Sequence, residues 1–376
     1  MTLSITSAFD SGNIIVKSVR STQEIRLDIR LDKDSDFYQW FHFRLSGAKG
    51  EACEMIIENA GSSAYPKGWP GYKACASYDR ETWFRVPTAF DDGALRISHT
   101  PAEDIVYYAY FAPYSMERHG DLVAEAAMED GVSLVELGQT LDGRALDCLE
   151  AGEGAKQVWV IARQHPGESM AEWWMEGFLS RLLDDSDPVA RKLRQLARFH
   201  IVPNMNPDGS FRGHLRTNAV GVNLNREWAE PSLEKSPEVL HVLEAMKQSG
   251  VDLFLEVPGY EALPYNFIAG SEGAPGFSDE DDARLITYKQ ALVTASPDFQ
   301  TRYGYPRNAP GKANMAIAGN AIFGYFKCLS MTLEMPFKDN ADLPDETFGW
   351  SPERCMRLGA ANLDAMLTDL AKNNLK

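Results

Sequence analysis

Three acid–base residues and three amide or guanidinium side chains stand where they could build a hydrolytic site. His165 and Glu168, three apart in His165-Pro-Gly-Glu168, fall on one side of a helix start or tight turn. A neutral imidazole and a carboxylate are donors suited to Zn²⁺, and a catalytic zinc takes three protein ligands and leaves one position for water. Alone, the same spacing also describes a helix-start histidine capped by a first-turn glutamate. Glu334 closes an apolar run in Thr332-Leu-Glu-Met-Pro336. A carboxylate there, beside a metal-bound water, can take its proton and later pass it to a leaving amine; a buried structural glutamate reads the same way. Arg216 offers a charged fork of donors to an oxyanion. Asn225 and Arg226 can hold a terminal carboxylate by paired hydrogen bonds. For these last three the competing reading is a salt-bridged surface loop.

The elements that would position these groups alternate between strand and helix from about residue 115, which argues for an α/β domain. Short apolar runs at 158–162, 199–202, 251–255 and 329–333 predict central strands. Helices are predicted over about 236–248, 279–296 and 352–371. The helix that His165-Pro-Gly-Glu168 is expected to open carries Met170, Trp173, Trp174, Gly177, Phe178 and Leu182 at helical spacing, which predicts one buried face. His165/Glu168, the 206–209 stretch Asn-Pro-Asp-Gly, the 256–260 segment and Glu334 each fall at or just past the carboxyl end of a predicted strand. That edge is where sites form in open α/β sheets.

Residues 1 to about 114 read as all-β. The 24–31 stretch alternates, with Ile25, Leu27, Ile29 and Leu31 expected on one face, and aromatic strands are expected at 37–43 and 105–111. Short strands separated by Gly/Pro/Ser-rich turns predict a β-sandwich, whose tyrosines and tryptophans belong to a core or, alternatively, to a carbohydrate-binding platform. Pro113 suggests a division into a β domain, 1–114, and an α/β domain, 115–376.

A net charge of −17 leaves no basic surplus for nucleic acid or anionic membranes. The five cysteines (Cys53, Cys75, Cys148, Cys328, Cys355) form no Cys-x-x-Cys and suit reduced thiols. The first 20 residues carry Asp10 in place of a signal-peptide apolar region, and no run of 18 apolar residues occurs. The expectation is a cytoplasmic protein.

The order His165-Pro-Gly-Glu168, Leu215-Arg-Thr-Asn-Ala-Val-Gly-Val-Asn-Leu-Asn-Arg226 and Thr332-Leu-Glu-Met-Pro336 resembles the M14 metallocarboxypeptidases, particularly the cytosolic carboxypeptidase branch. The resemblance covers roughly 120 to 340, and the β-rich first third looks like the extra domain of that branch. It implies a carboxypeptidase-like mixed sheet flanked by helices, one zinc ion, peptide or protein C-termini as substrates and hydrolysis of the C-terminal peptide bond. It also implies His165 and Glu168 on the metal, Glu334 as base, Arg216 as oxyanion stabiliser and Asn225-Arg226 as carboxylate clamp. The branch takes its third zinc ligand from a segment reading roughly Asp-Ile-His-Gly-Asp-Glu-x-Leu-Pro-Tyr-Asn-Phe. Here that segment is Glu256-Val-Pro-Gly-Tyr-Glu-Ala-Leu-Pro-Tyr-Asn-Phe267, and the ligand position is Pro258. Proline offers a metal no donor. No histidine lies beyond His241, so a substitute must come from elsewhere, with His214, Glu256 and Glu261 the residues to inspect. Three readings follow: a zinc carboxypeptidase impaired by Pro258, a pseudoenzyme that binds peptide C-termini without cleaving them, and a zinc amidase acting on N-acyl amino acids.

Overall fold

The computed structural model describes residues 2–373. The first part of the chain folds as two five-stranded sheets whose buried side chains join one hydrophobic core. Pairing within them is antiparallel except where Glu24–Asp28 lies parallel to Cys53–Ile57. Ile25, Leu27 and Ile29 are buried as the alternation requires, but the strand ends at Asp28 and Leu31 is 45% exposed. The aromatic stretch 37–43 also departs from expectation, since the ladder strand is His42–Ser46. Trp40 and Phe41 are buried without belonging to a strand, because side-chain burial does not require a ladder partner. The rings of this part form its core, so the carbohydrate-platform alternative finds no exposed aromatic face at Trp40, Trp69, Trp83, Tyr72, Tyr108 or Tyr110.

The second part is built on an eight-stranded mixed sheet. Its centre is four parallel strands in the order Ala197–Val202, Lys156–Ala162, Leu253–Val257 and Leu329–Pro336. All four are apolar and almost wholly buried, as strands covered on both faces must be. An antiparallel hairpin, Val132–Gln139 and Ala145–Ala151, extends one side. The helices Pro237–Ser249, Asp279–Ala295 and Pro352–Asn373 agree with the expected spans. Met116–Ala127, Pro188–Leu196, Pro207–Arg212 and Ala318–Phe326 are helices that the pattern did not announce.

The helix Met170–Leu182 fixes the strand-to-helix turn that carries His165, and it is held by glycine contact. A Cβ on Gly177 would lie 2.1 Å from the Met356 carbonyl oxygen, and one on Gly359 would lie 2.1 Å from that of Trp174. Only glycine permits so close a crossing of two helix backbones. Arg85 ties the two parts of the molecule together. Its guanidinium donates to the carbonyls of Phe337 and Trp350, both at 3.0 Å, and to Lys73 at 2.7 Å. Among the described residues no helix is long and apolar enough to cross a membrane.

Candidate active site

The carboxyl ends of the parallel strands open into a cavity of about 760 Å³. Its walls include His165, Glu168, Arg216, Asn225, Arg226, Pro258 and Glu334, so all seven residues singled out from the sequence meet in one place. The 206–209 stretch does not join them. Asn206 caps its own helix through Gly209 N, and Asp208 accepts from Thr140, Arg144 and the backbone of Asp142. Those polar groups fasten the hairpin and have no part in the cavity.

His165 and Glu168 precede the helix and do not open it; Glu168 N donates to His165 O at 3.1 Å and the helix begins at Met170. Arg163 makes this turn possible. It takes a left-handed conformation, φ 54°, directly after the strand, and its guanidinium reaches the Pro166 carbonyl at 2.9 Å and the Glu172 carboxylate. A non-glycine residue in that region is held there by its surroundings.

The hydrogen bonds around His165 place one of its protons. Asn223 Oδ1 accepts from the Asn225 backbone N–H at 3.1 Å, which identifies it as the oxygen. His165 Nε2 stands 3.1 Å from that oxygen and must therefore donate to it. The neutral ring then has a bare Nδ1, which lies 2.8 Å from Glu168 Oε1. A neutral ring takes that bond from a protonated Glu168, and a charged ring gives it to the carboxylate. Burial pushes Glu168 up to about 8, while burial and the charge of Arg216 hold His165 well below its usual value, and both directions favour the uncharged pair. The imidazole and the carboxyl thus share one proton between the two atoms that would face a metal.

Other carboxyls crowd the same space. Glu256 is buried and accepts from Gln164, from Asn225 Nδ2 at 3.0 Å and from Thr332 Oγ1 at 3.1 Å; burial pushes it up to about 7. Burial raises Glu261 to about 8. Glu334 is raised further, chiefly by burial, and accepts from the Tyr305 hydroxyl at 2.6 Å. Arg216 is the cation among them. Its Nη1 is 3.9 Å from Glu168 Oε1, and its guanidinium sits 5.2 Å from the Tyr65 ring centre and 5.8 Å from that of Phe37. Asn225 spends part of its amide locally, giving one N–H to Glu256 and accepting from Ala318 N at 2.8 Å. Arg226 lies exposed beside it. Glu168 Oε2, Glu334 Oε2 and Arg216 Nε are buried without partners, which marks a place for a polar ligand.

A catalytic zinc does not fit the donors present. Among the described residues no three His, Cys, Asp or Glu side chains converge closely enough to hold a metal ion. His214 offers no replacement, because its Nδ1 is bonded to the Thr217 carbonyl and its Nε2 accepts from Lys33 N. Glu256 already serves three donors. Tyr305, Tyr65 and Asn223 went unnoticed in the sequence. Tyr305 stands in an irregular loop and Tyr65 in the other half of the molecule, so neither carries a local signal, whereas Asn223 could have been found in the Asn-Leu-Asn-Arg run.

The fold and this set of residues define a carboxypeptidase architecture preceded by a β domain. Residues 5–111 match the cytosolic carboxypeptidase N-terminal domain and residues 122–353 match the zinc carboxypeptidase family. The chain belongs to the zinc carboxypeptidase family. It is 52% identical to a metallo-carboxypeptidase from Burkholderia cenocepacia, with a TM-score of 0.97 over 99% of this chain and 100% of that one. A metallo-carboxypeptidase from Pseudomonas aeruginosa, solved with (2-guanidinoethylmercapto)succinic acid, is 45% identical, with a TM-score of 0.96 over 99% of this chain and 100% of the other. An uncharacterized Zymomonas mobilis protein is 55% identical over 96% of this chain and 94% of its own. Human cytosolic carboxypeptidase 4 is 29% identical over 62% of this chain, which spans only 25% of the human protein.

Proposed function

We propose that this cavity binds the carboxyl-terminal end of a peptide and that its hydrolytic function is lost. The carrying observation is the direct His165–Glu168 hydrogen bond beside Pro258, in place of three convergent metal donors. An incoming carboxylate meets Arg216 and Arg226 and the remaining N–H of Asn225, which supply charge-assisted bonds. Burial raises Glu168, Glu261 and Glu334, which lessens their repulsion of the incoming carboxylate at neutral pH. A relative 45% identical in sequence takes a succinic acid derivative, which accords with a carboxylate-seeking cavity.

Calorimetric titration with N-acetyl-trialanine and with its C-terminal amide tests the reading. The free acid is expected to bind, the amide to bind at least about tenfold more weakly for loss of a charged hydrogen bond, and the peptide to be recovered intact. Equal binding of acid and amide, or turnover of the acid with stoichiometric zinc in the purified protein, overturns it.

A further inference from the structure

The β domain grips the loop that carries Arg216 at one charged residue. Asp32, 2% exposed, lies in the loop that follows Glu24–Asp28. Its Oδ1 accepts from Leu215 N at 2.7 Å. Its Oδ2 accepts from Arg216 N at 2.8 Å, Thr217 N at 2.9 Å and Thr217 Oγ1 at 3.1 Å. Three successive backbone N–H groups therefore close around one carboxylate, an anion-binding nest whose anion is supplied by the other half of the molecule. Neighbouring contacts run the same way: Lys33 N donates to His214 Nε2 at 3.2 Å, and Asn13 Nδ2 donates to the Gly213 carbonyl at 2.8 Å. The same half also provides both rings that flank the Arg216 guanidinium, Phe37 and Tyr65.

We infer that Asp32 is a positioning residue for carboxylate recognition: it fixes the backbone of residues 215–217 so that the Arg216 guanidinium stays between Phe37 and Tyr65 and faces the cavity. The inference rests on the proposed reading of the cavity as a carboxylate-binding site. Arg216 extends from a loop with no helix or strand of its own, so its aim depends on what holds that loop. Asparagine at position 32 replaces one acceptor oxygen by a donor that confronts the backbone N–H groups. The nest then opens, and the arginine loses its direction while the two sheets remain.

The test is a double-mutant cycle on the full chain, reading the affinity of N-acetyl-trialanine for the parent protein, D32N, R216A and the double variant. Loss of charged hydrogen bonds predicts that D32N weakens binding about tenfold or more in the parent. In the R216A background D32N is expected to leave the residual affinity unchanged. An equal loss in both backgrounds would show Asp32 to act on the fold alone and overturn the inference. Thr217→Val removes only the hydroxyl contact and carries the same Arg216-dependent expectation in smaller degree, so it serves where D32N does not fold. If the parent binds no peptide, the proposed function fails, and the crystal structure of D32N (or of T217V) decides the positioning role separately. Arg216 displaced from between the rings supports it, and Arg216 unmoved refutes it.

Discussion

The Glu168 carboxyl and His165 Nδ1 share a hydrogen bond across 2.8 Å, so two residues that resemble metal ligands are bonded to each other. The arrangement is internally consistent. Asn223 orients the ring, and burial disfavours the charged form of both partners. Pro258 lines the same cavity, so the segment that should bring a third ligand brings no side-chain donor there.

Restoring a donor at that point should restore the metal. Pro258→His is expected to raise zinc affinity by at least about 10–100-fold, the range that even indirect ligand changes produce. Zinc measured by mass spectrometry after dialysis would rise towards one per chain in the variant and stay low in the parent. A parent protein that retains stoichiometric zinc would refute the two-donor description.

Arg216 should not tolerate lysine. An ammonium lacks the planar fork that pairs with a carboxylate and the flat face that packs against Tyr65 and Phe37. Arg216→Lys is expected to weaken free-acid peptide by about 1.5–3 kcal/mol, the worth of hydrogen bonds to charged groups. The amide peptide should be nearly unaffected. Calorimetry on both ligands checks this, and an undiminished preference for the acid would exclude Arg216 from recognition.

Much of this site was readable along the chain because its parts sit where periodic, apolar strands end. The helix at 170–182 and the strands around 158 and 331 are continuous apolar patterns, and such patterns place His165, Glu168 and Glu334 at one sheet edge without further information. The pieces that escaped arrive from a distance. Asp32 lies 183 residues from Leu215, and its role is a set of backbone contacts that leave no trace in residue spacing. Tyr305 reaches Glu334 from an irregular loop. The 206–209 stretch misled for the opposite reason: it follows a strand at the correct edge, yet its polar groups are consumed by capping and by the hairpin.

Glu261 makes stability depend on pH. Burial raises its carboxyl from 4.5 to about 8, so the folded protein holds a proton that the unfolded chain has released. Stability falls wherever the native state binds more protons than the unfolded one. The contribution of Glu261 is therefore whole below about 4.5, the unfolded value, and lost as pH rises towards 8. Glu261→Gln is expected to flatten the decline between pH 5 and pH 8 in urea titrations, on the order of the window set by those two values. An unchanged slope would mean that the carboxyl titrates normally in the fold.

The helix crossing behind the site gives a stability prediction independent of any ligand. Gly177→Ala adds a methyl group 2.1 Å from the Met356 carbonyl oxygen, a distance that a backbone atom cannot yield without the helix Pro352–Asn373 moving. Alanine gains about 1 kcal/mol of helix propensity over glycine, and overpacking a core of this kind costs typically about 1–3 kcal/mol or more. With a backbone carbonyl as the obstacle the upper part of that range applies, so a net loss of about 1–2 kcal/mol is expected. Because Met170–Leu182 follows directly on Glu168, the displacement should also reach the cavity and weaken peptide binding along with the urea midpoint. Stability equal to the parent would show that the two helices can separate freely, and that their glycine contact does not set the position of the turn bearing His165 and Glu168.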